Sequence, residues 1–359
     1  MKKLIKKFVK SFLPQSWRLR LLKLRNSIKS LFTKTIQSLF TKMSLLASLY
    51  YMMSTAFRRE HHAVLSGIVN HERHPQKGNY YTLRRNIHRL EKGLLMRPRR
   101  DIFATGYIEE TVDKYRALRN CKEINETIAW AYSVLREYFS VVTDSHPNIK
   151  AARKKFGETV NECDSDNIRI PYQRCCSLSS QIPSFQQLKN LAKLRRSVRW
   201  YLQKPVPRDL IDQALSVATL SPSACNRQPF EFIILDDNEK VKEIASLPGG
   251  TAGFFDNIPV IIVIIGHLNA FFSERDRHLI YIDAALASMS FMLALETLGL
   301  SSCPINWPEI ESLERKMTKI LSLKNDERVI MLLSVGYADP DGYVAYSQKK
   351  SLDELRHYR

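Results

Sequence analysis

The sequence predicts a chain in two parts, a mostly helical N-terminal half followed by a β-sheet covered by helices on both sides. Through much of 60–160, apolar and charged residues recur at helical spacing, as in YIEETVDKYRALRNCKEINETIAWAYSVLREYF. From Phe185 the texture changes to helices alternating with apolar strands, of which IPVIIVIIGH is apolar throughout and reads as buried on both faces. The 359 residues suffice for one large domain with an appendage, or for two domains.

The elements follow in order. MKKLIKKFVKSFLP sets Leu4, Ile5, Phe8, Val9, Phe12 and Leu13 on one helical face and lysines on the other, and Pro14 ends it. Such a basic amphipathic helix suits an anionic membrane surface. Charges interrupt every apolar stretch that a secretory signal would need. A small repeat, IKSLFTKT then IQSLFTKM, occupies 28–43, and MSLLASLYYMM (43–53) is too short to span a bilayer alone. Packing of this arm on the body or a partner, or an organellar transit peptide, are alternative readings of 1–59. Residues 60–160 form the helical region. There His88 and Glu91 lie three apart on one face and read as structural. Residues 161–184, mixing Ser, Asp, Asn and Pro without period, read as a linker.

In the C-terminal half a helix at 185–194 leads into RRSVRWY, and a second runs from Pro207 to Leu220. Strands are expected at 230–236 and 259–266, helices at about 276–299 and 309–322, and a last strand through RVIMLLSVGYAD.

Charge and cysteines narrow the function classes. The formal charge is +19, yet residues 1–59 hold fourteen Lys and Arg and no acid, which leaves 41 basic against 36 acidic residues in the rest. The body is only mildly basic, unlike a nucleic-acid-binding domain with its patch on the folded surface, so no nucleic-acid partner is expected. The six cysteines form no CxxC pair and no zinc spacing, so no metal is expected and a reducing, cytoplasmic compartment fits best.

Two motifs carry candidate chemistry. In LRRSVRWY, Arg195, Arg196, Arg199 and the Ser197 hydroxyl gather donors just after a helix, a set that suits a phosphate monoester. A solvated basic turn is the plain alternative. In LSPSACNRQP, Asn226 and Gln228 offer paired amide donors and acceptors and Ser223 a hydroxyl, between torsion-fixing Pro222 and Pro229. That loop could read the polar edge of a planar heterocycle, or be a well-capped turn.

The order RRSVRWY, SPSACNRQPFEFIIL, the DAALASMSFMLALETLGL helix, SCPINW and the VGY strand resembles the FMN-dependent nitroreductase family over about 185–355. The resemblance implies an α+β fold with helices around a mixed sheet, and a homodimer with FMN at its interface. It implies that Arg195, Arg196, Ser197 and Arg199 hold the FMN phosphate and ribityl chain. Pro222, Ser223, Ala224, Asn226 and Gln228 would lie against the ring, and Pro304, Ile305 and Asn306 would reach its N5 region through main-chain groups. Lys349 and Lys350, one or both, would close on the phosphate. The flavin would carry the chemistry, so no catalytic side chain is assigned. NADH or NADPH would reduce it, and a quinone, nitro compound or biosynthetic intermediate would reoxidise it in a ping-pong cycle.

Two residues depart from the family pattern: Trp307, which could narrow the pocket, and Cys225 inside the loop. Glu274, Arg275 and Asp283 read as dimer or lid contacts. The extra region with its HRLEKGL stretch is similar to an extended subgroup associated with bacterial polysaccharide synthesis. With the basic arm (1–57), it suggests work at the inner face of a membrane. A non-catalytic scaffold of a membrane-bound assembly is the competing reading, favoured if Trp307 crowds the site.

Overall fold

The computed structural model describes residues 37, 40–41, 43–73, 75–121, 125–159, 169–172 and 182–359. The amphipathic helix expected at 1–13, most of the 28–43 repeat and most of the 161–184 linker lie outside the described residues. The chain forms two compact units, Met1–His61 and His62–Arg359. In the first, α1 (Ser44–Met53) is a ten-residue apolar helix with no buried residue, and Tyr51 meets Phe57 edge to face at 4.7 Å. Its length is well short of the ~20 residues a membrane-spanning helix requires.

Helix α2 (Arg58–Arg73) leads into the second unit, and α3 (Pro75–Leu94), α4 (Ile108–Leu118), α5 (Asn125–Val141) and α6 (Pro147–Gly157) follow. Helices α3 to α6 close on an apolar core around Leu83, Ile87, Leu135, Tyr138 and Ile149, all fully buried. The periodic apolar face of each supplies that core, as the sequence pattern requires.

The α+β part starts at α7 (Phe185–Leu194), whose start carries a capping box. The Ser184 hydroxyl accepts from Gln187 N at 3.2 Å, and the Gln187 side chain accepts from Ser184 N at 2.7 Å. It continues through α8 (Arg208–Ala218), β1 (Phe230–Leu235), α9 (Asn238–Ala245), β2 (Val260–His267), α10 (Leu279–Thr297), β3 (Ser301–Asn306), α11 (Glu311–Leu321) and β4 (Glu327–Gly336). The strands are ordered β1-β2-β4-β3. All three strand pairs are antiparallel, and the mixed character expected of the sheet is confined to one parallel bridge, Ser197 with Ser302.

Every residue of β2 is buried, because the sheet has apolar clusters on both faces. One holds Val263, Ile265 and α9 side chains; the other holds Ile262, Ile264 and the buried face of α10. Helix α10 is apolar enough by composition to cross a bilayer, yet one face packs on α8 and the sheet while Ile282, Leu286 and Met289 stay exposed. No strand is expected from the local pattern of GLSSCPINW, yet its residues Ser301–Asn306 form β3. Pro304 is compatible with β3 because β3 is an edge strand.

Candidate functional site

Two constellations emerge, one at each end of α10. The first is built on the segment after α7. Val198 N donates to Ser302 O at 3.1 Å, which ties this segment to β3. Tyr201 locks it from below. Its buried hydroxyl donates to Val198 O at 2.7 Å and lies 2.7 Å from Ser334 Oγ on β4. Asn257 holds the Tyr201 backbone on both sides, accepting from its N at 2.6 Å and donating to its O at 3.2 Å.

On that platform Arg195, Arg196, Ser197 and Arg199 line a cavity of about 190 Å³ together with Lys193 and Lys349. Arg196 reaches the tail, donating to Ala345 O and Tyr346 O. Lys349 lines the cavity and Lys350 does not. Arg199 lies over the Phe254 ring at 5.9 Å. Arg195 Nε is buried with no hydrogen-bond partner among the described residues. A buried donor left without an acceptor is costly, and here it lies in a cationic pocket whose chemistry calls for an anion. These residues fit a phosphate monoester.

Two groups that the sequence did not single out interact with the residues lining this cavity. Burial pushes the Cys303 thiol up, against the opposing pull of Arg199, Ser197 and Arg195, so it stays protonated at neutral pH. Burial likewise holds the Glu296 carboxyl, near the end of α10, at about 7 against the pull of Arg195 and a hydrogen bond from Ser301.

The second constellation is the loop before β1. Cys225, Asn226 and Gln228 all take positive φ, at 53°, 50° and 50°. Non-glycine residues hold that conformation only where surrounding bonds impose it. Ser223 Oγ donates to Asp283 Oδ2 at 2.6 Å and accepts from Gln228 N at 2.8 Å, while Ala224 N adds a 3.1 Å bond to the same carboxylate oxygen. Burial raises the Asp283 pKa despite these bonds. Arg84 on α3 completes the clamp. Its guanidinium donates to Asn226 O at 2.9 Å, to Gln228 Oε1 at 2.8 Å and to Thr127 Oγ1 at 2.9 Å.

The loop's polarity is therefore largely turned inward. Gln228 spends its amide on Arg84 and on Thr219 O, which accepts from Nε2 at 3.0 Å. Ser223 spends its hydroxyl on Asp283, whereas the Asn226 side-chain amide has no partner among the described residues. Pro222 is exposed, Ala224 half-buried and Cys225 half-buried. On β3, Pro304 and Asn306 face solvent while Ile305 is buried in the core. Trp307 does not narrow a pocket: it is buried in the same core, and its Nε1 donates to Glu314 Oε1 at 2.8 Å. His88 pairs with Glu91 at 3.1 Å, as the helical spacing requires.

Sequence reading missed Arg84 as a site residue, and it gave Asp283 to dimer or lid contacts. The local signal for Asp283 was an acid in the first turns of an otherwise apolar helix. Arg84 offered none, because its partners in the loop lie more than 140 residues away.

The family model described as Nitroreductase family matches residues 192–248 and 243–337. A Methanothermobacter thermautotrophicus protein named for NADH dehydrogenase/NAD(P)H nitroreductase is 30% identical over 154 residues, covering 43% of this chain and 75% of that relative. Iodotyrosine deiodinase of Danio rerio is 22% identical over 246 residues, covering 59% of this chain and 81% of its own. Among solved structures, an FMN-dependent nitroreductase from Clostridium difficile R20291 is 26% identical with a TM-score of 0.41, over 47% of this chain and 98% of that one. A nitroreductase family protein from Streptococcus pneumoniae TIGR4 is 24% identical with a TM-score of 0.42, over 48% and 100%.

Proposed function

Because the chain belongs to the nitroreductase family, we propose that it is an FMN-dependent oxidoreductase that passes hydride equivalents from NADH or NADPH to a small-molecule acceptor. The observation that carries this reading is the cationic cavity with the buried, unpartnered Arg195 Nε. Bound FMN would supply reversible hydride acceptance, and the protein's part is to bind, orient and shield it.

Arg195, Arg199 and Lys349 would hold the phosphate, with the Ser197 hydroxyl and Arg196 completing the cradle. The loop of Pro222, Ser223, Ala224, Asn226 and Gln228 would form a preorganised wall for the ring, stiffened from behind by Arg84 and Asp283. Asn226, whose amide is uncommitted, would be its reading group. Pro304, Ile305 and Asn306 would approach through the main chain of β3.

Asp283 and Glu296 stand thirteen residues apart on α10, about 20 Å along a helix axis. Asp283 bonds the loop, and Glu296 feels the charge of Arg195 in the cradle, so the two halves in one chain lie near opposite ends of α10. Between them runs the exposed stripe of Ile282, Leu286 and Met289. We infer a homodimer packed on this stripe, in which one copy's phosphate cradle meets its partner's loop.

Crowding of the site by Trp307 would favour the scaffold alternative, and its placement in the core removes that one support. Cytoplasmic location, membrane-surface contact through residues 1–57 and an acceptor from polysaccharide synthesis are parts of the proposal. Unchanged membrane fractionation after deletion of 1–57 would remove the membrane part.

Steady-state kinetics test the activity. With NADH and NADPH as donors and a panel of quinones, nitroarenes and iodotyrosine as acceptors, parallel double-reciprocal lines are expected. Converging lines would contradict the two-step exchange.

A further inference from the structure

The connection between α3 and α4 carries a feature that the redox site does not use. Residues 95–102 are eight consecutive exposed residues. Beside them a basin of about 610 Å³ is lined by Lys92, Arg97, Arg99 and Arg100 over a floor of Phe103 and Tyr107. None of these four cations pairs with a carboxylate of the described residues, and Asp101 is the only acid between Lys92 and Ile108. Flanking the basin, Leu95, Met96 and Ile102 are 55%, 54% and 41% exposed.

We propose that this basin docks the protein on an anionic bilayer, taking the phosphate of a lipid headgroup among its arginines while Leu95 and Met96 enter the interface. Unneutralised guanidinium groups around a cavity call for phosphate oxygens. Free phosphate would satisfy those cations and gain nothing from the apolar side chains at the rim, whereas a bilayer interface takes both. Nucleic acid fits less well, since one face of the Tyr107 ring is already taken by the Arg89 guanidinium at 3.7 Å. The acid-free arm of residues 1–59, with its fourteen cations, has by composition the same preference.

The test is flotation of the full chain with vesicles of phosphatidylcholine mixed with phosphatidylglycerol, against phosphatidylcholine alone. Binding only to the mixed vesicles, weakened by salt, is expected. At about fivefold per basic residue near an anionic surface, Arg97→Gln/Arg99→Gln/Arg100→Gln should weaken partitioning about a hundredfold. Leu95→Ser/Met96→Ser should weaken it about tenfold while keeping its salt dependence. All five positions are exposed, and wild-type thermal unfolding of each variant confirms an intact fold; single Arg99→Gln serves if the triple variant misfolds. Unchanged partitioning of the charge variants overturns the proposal. So does loss of inorganic phosphate binding, read by thermal shift, in variants whose vesicle binding is intact, because the basin would then be a free-anion site. Flavin content is read in parallel, and its loss alone would speak to the redox site and not to this surface.

Discussion

Arg84 Nη2 donates to Gln228 Oε1 at 2.8 Å, so a helix outside the segment matched by the family model restrains the loop proposed to face the flavin ring. The same guanidinium holds the Asn226 carbonyl and lies against the Tyr80 and Trp130 rings at 5.6 and 5.5 Å. Arg84→Ala leaves these acceptors without their buried donor and is expected to cost about 2–3 kcal/mol of stability. Flavin affinity should fall at least about tenfold, since three residues at positive φ lose their restraint. Arg84→Lys keeps the charge but not the fork, and should fall between. Flavin titration by fluorescence quenching, beside thermal unfolding, measures both.

Asp283 acts on the same loop from α10. Asp283→Ala removes the acceptor for Ser223 Oγ and Ala224 N and should cost about 2 kcal/mol. Asp283→Asn keeps an accepting oxygen and relieves a carboxylate whose burial disfavours its charge, so it should be nearly neutral. Denaturant unfolding of the pair separates a hydrogen-bond role from a charge role. Equal losses in both variants would mean that the negative charge itself is required.

Glu296 predicts a pH dependence. Its folded value of about 7 lies above its ordinary 4.5, so the folded state holds the proton more tightly. That contribution is complete below about pH 4.5 and is lost as pH rises through about 7. Glu296→Gln, permanently neutral, should match wild type below about pH 4.5 and exceed it increasingly up to about pH 7. The margin is about 1 kcal/mol once solvent screening of a half-exposed group is allowed for. Thermal unfolding across that range gives the difference curve.

The stripe on α10 predicts assembly. Leu286→Arg places a charge in the middle of Ile282, Leu286 and Met289 and should give a monomer in sedimentation velocity. If the two halves of the site come from different copies, the monomer also loses flavin. A monomer with wild-type flavin affinity would show that one chain builds the site alone.

Much of this architecture was legible because the signals are local. The unbroken apolar run of β2 and the apolar helix α10 each state their structure within a few residues. The gathering of Arg195, Arg196, Ser197 and Arg199 around one cavity was legible for the same reason, as they are nearly contiguous. The strand β3 was not, because Gly299 and Pro304 carry the local marks of a turn and only the sheet edge makes the proline tolerable. The direction of Trp307 depends on Glu314 across the core. The inward wiring of the loop depends on Arg84 and Asp283, whose spacing from it in sequence carries no periodic signal.

Whether Arg195 and its neighbours hold a flavin phosphate is read from the visible absorption spectrum of the purified full chain. A flavin spectrum is expected in the wild type, or on addition of FMN, and its loss in Arg195→Ala/Arg199→Ala with the fold intact by circular dichroism. A colourless wild type that rejects added FMN, or a double variant that keeps it at wild-type affinity, would show that these residues do not hold the cofactor.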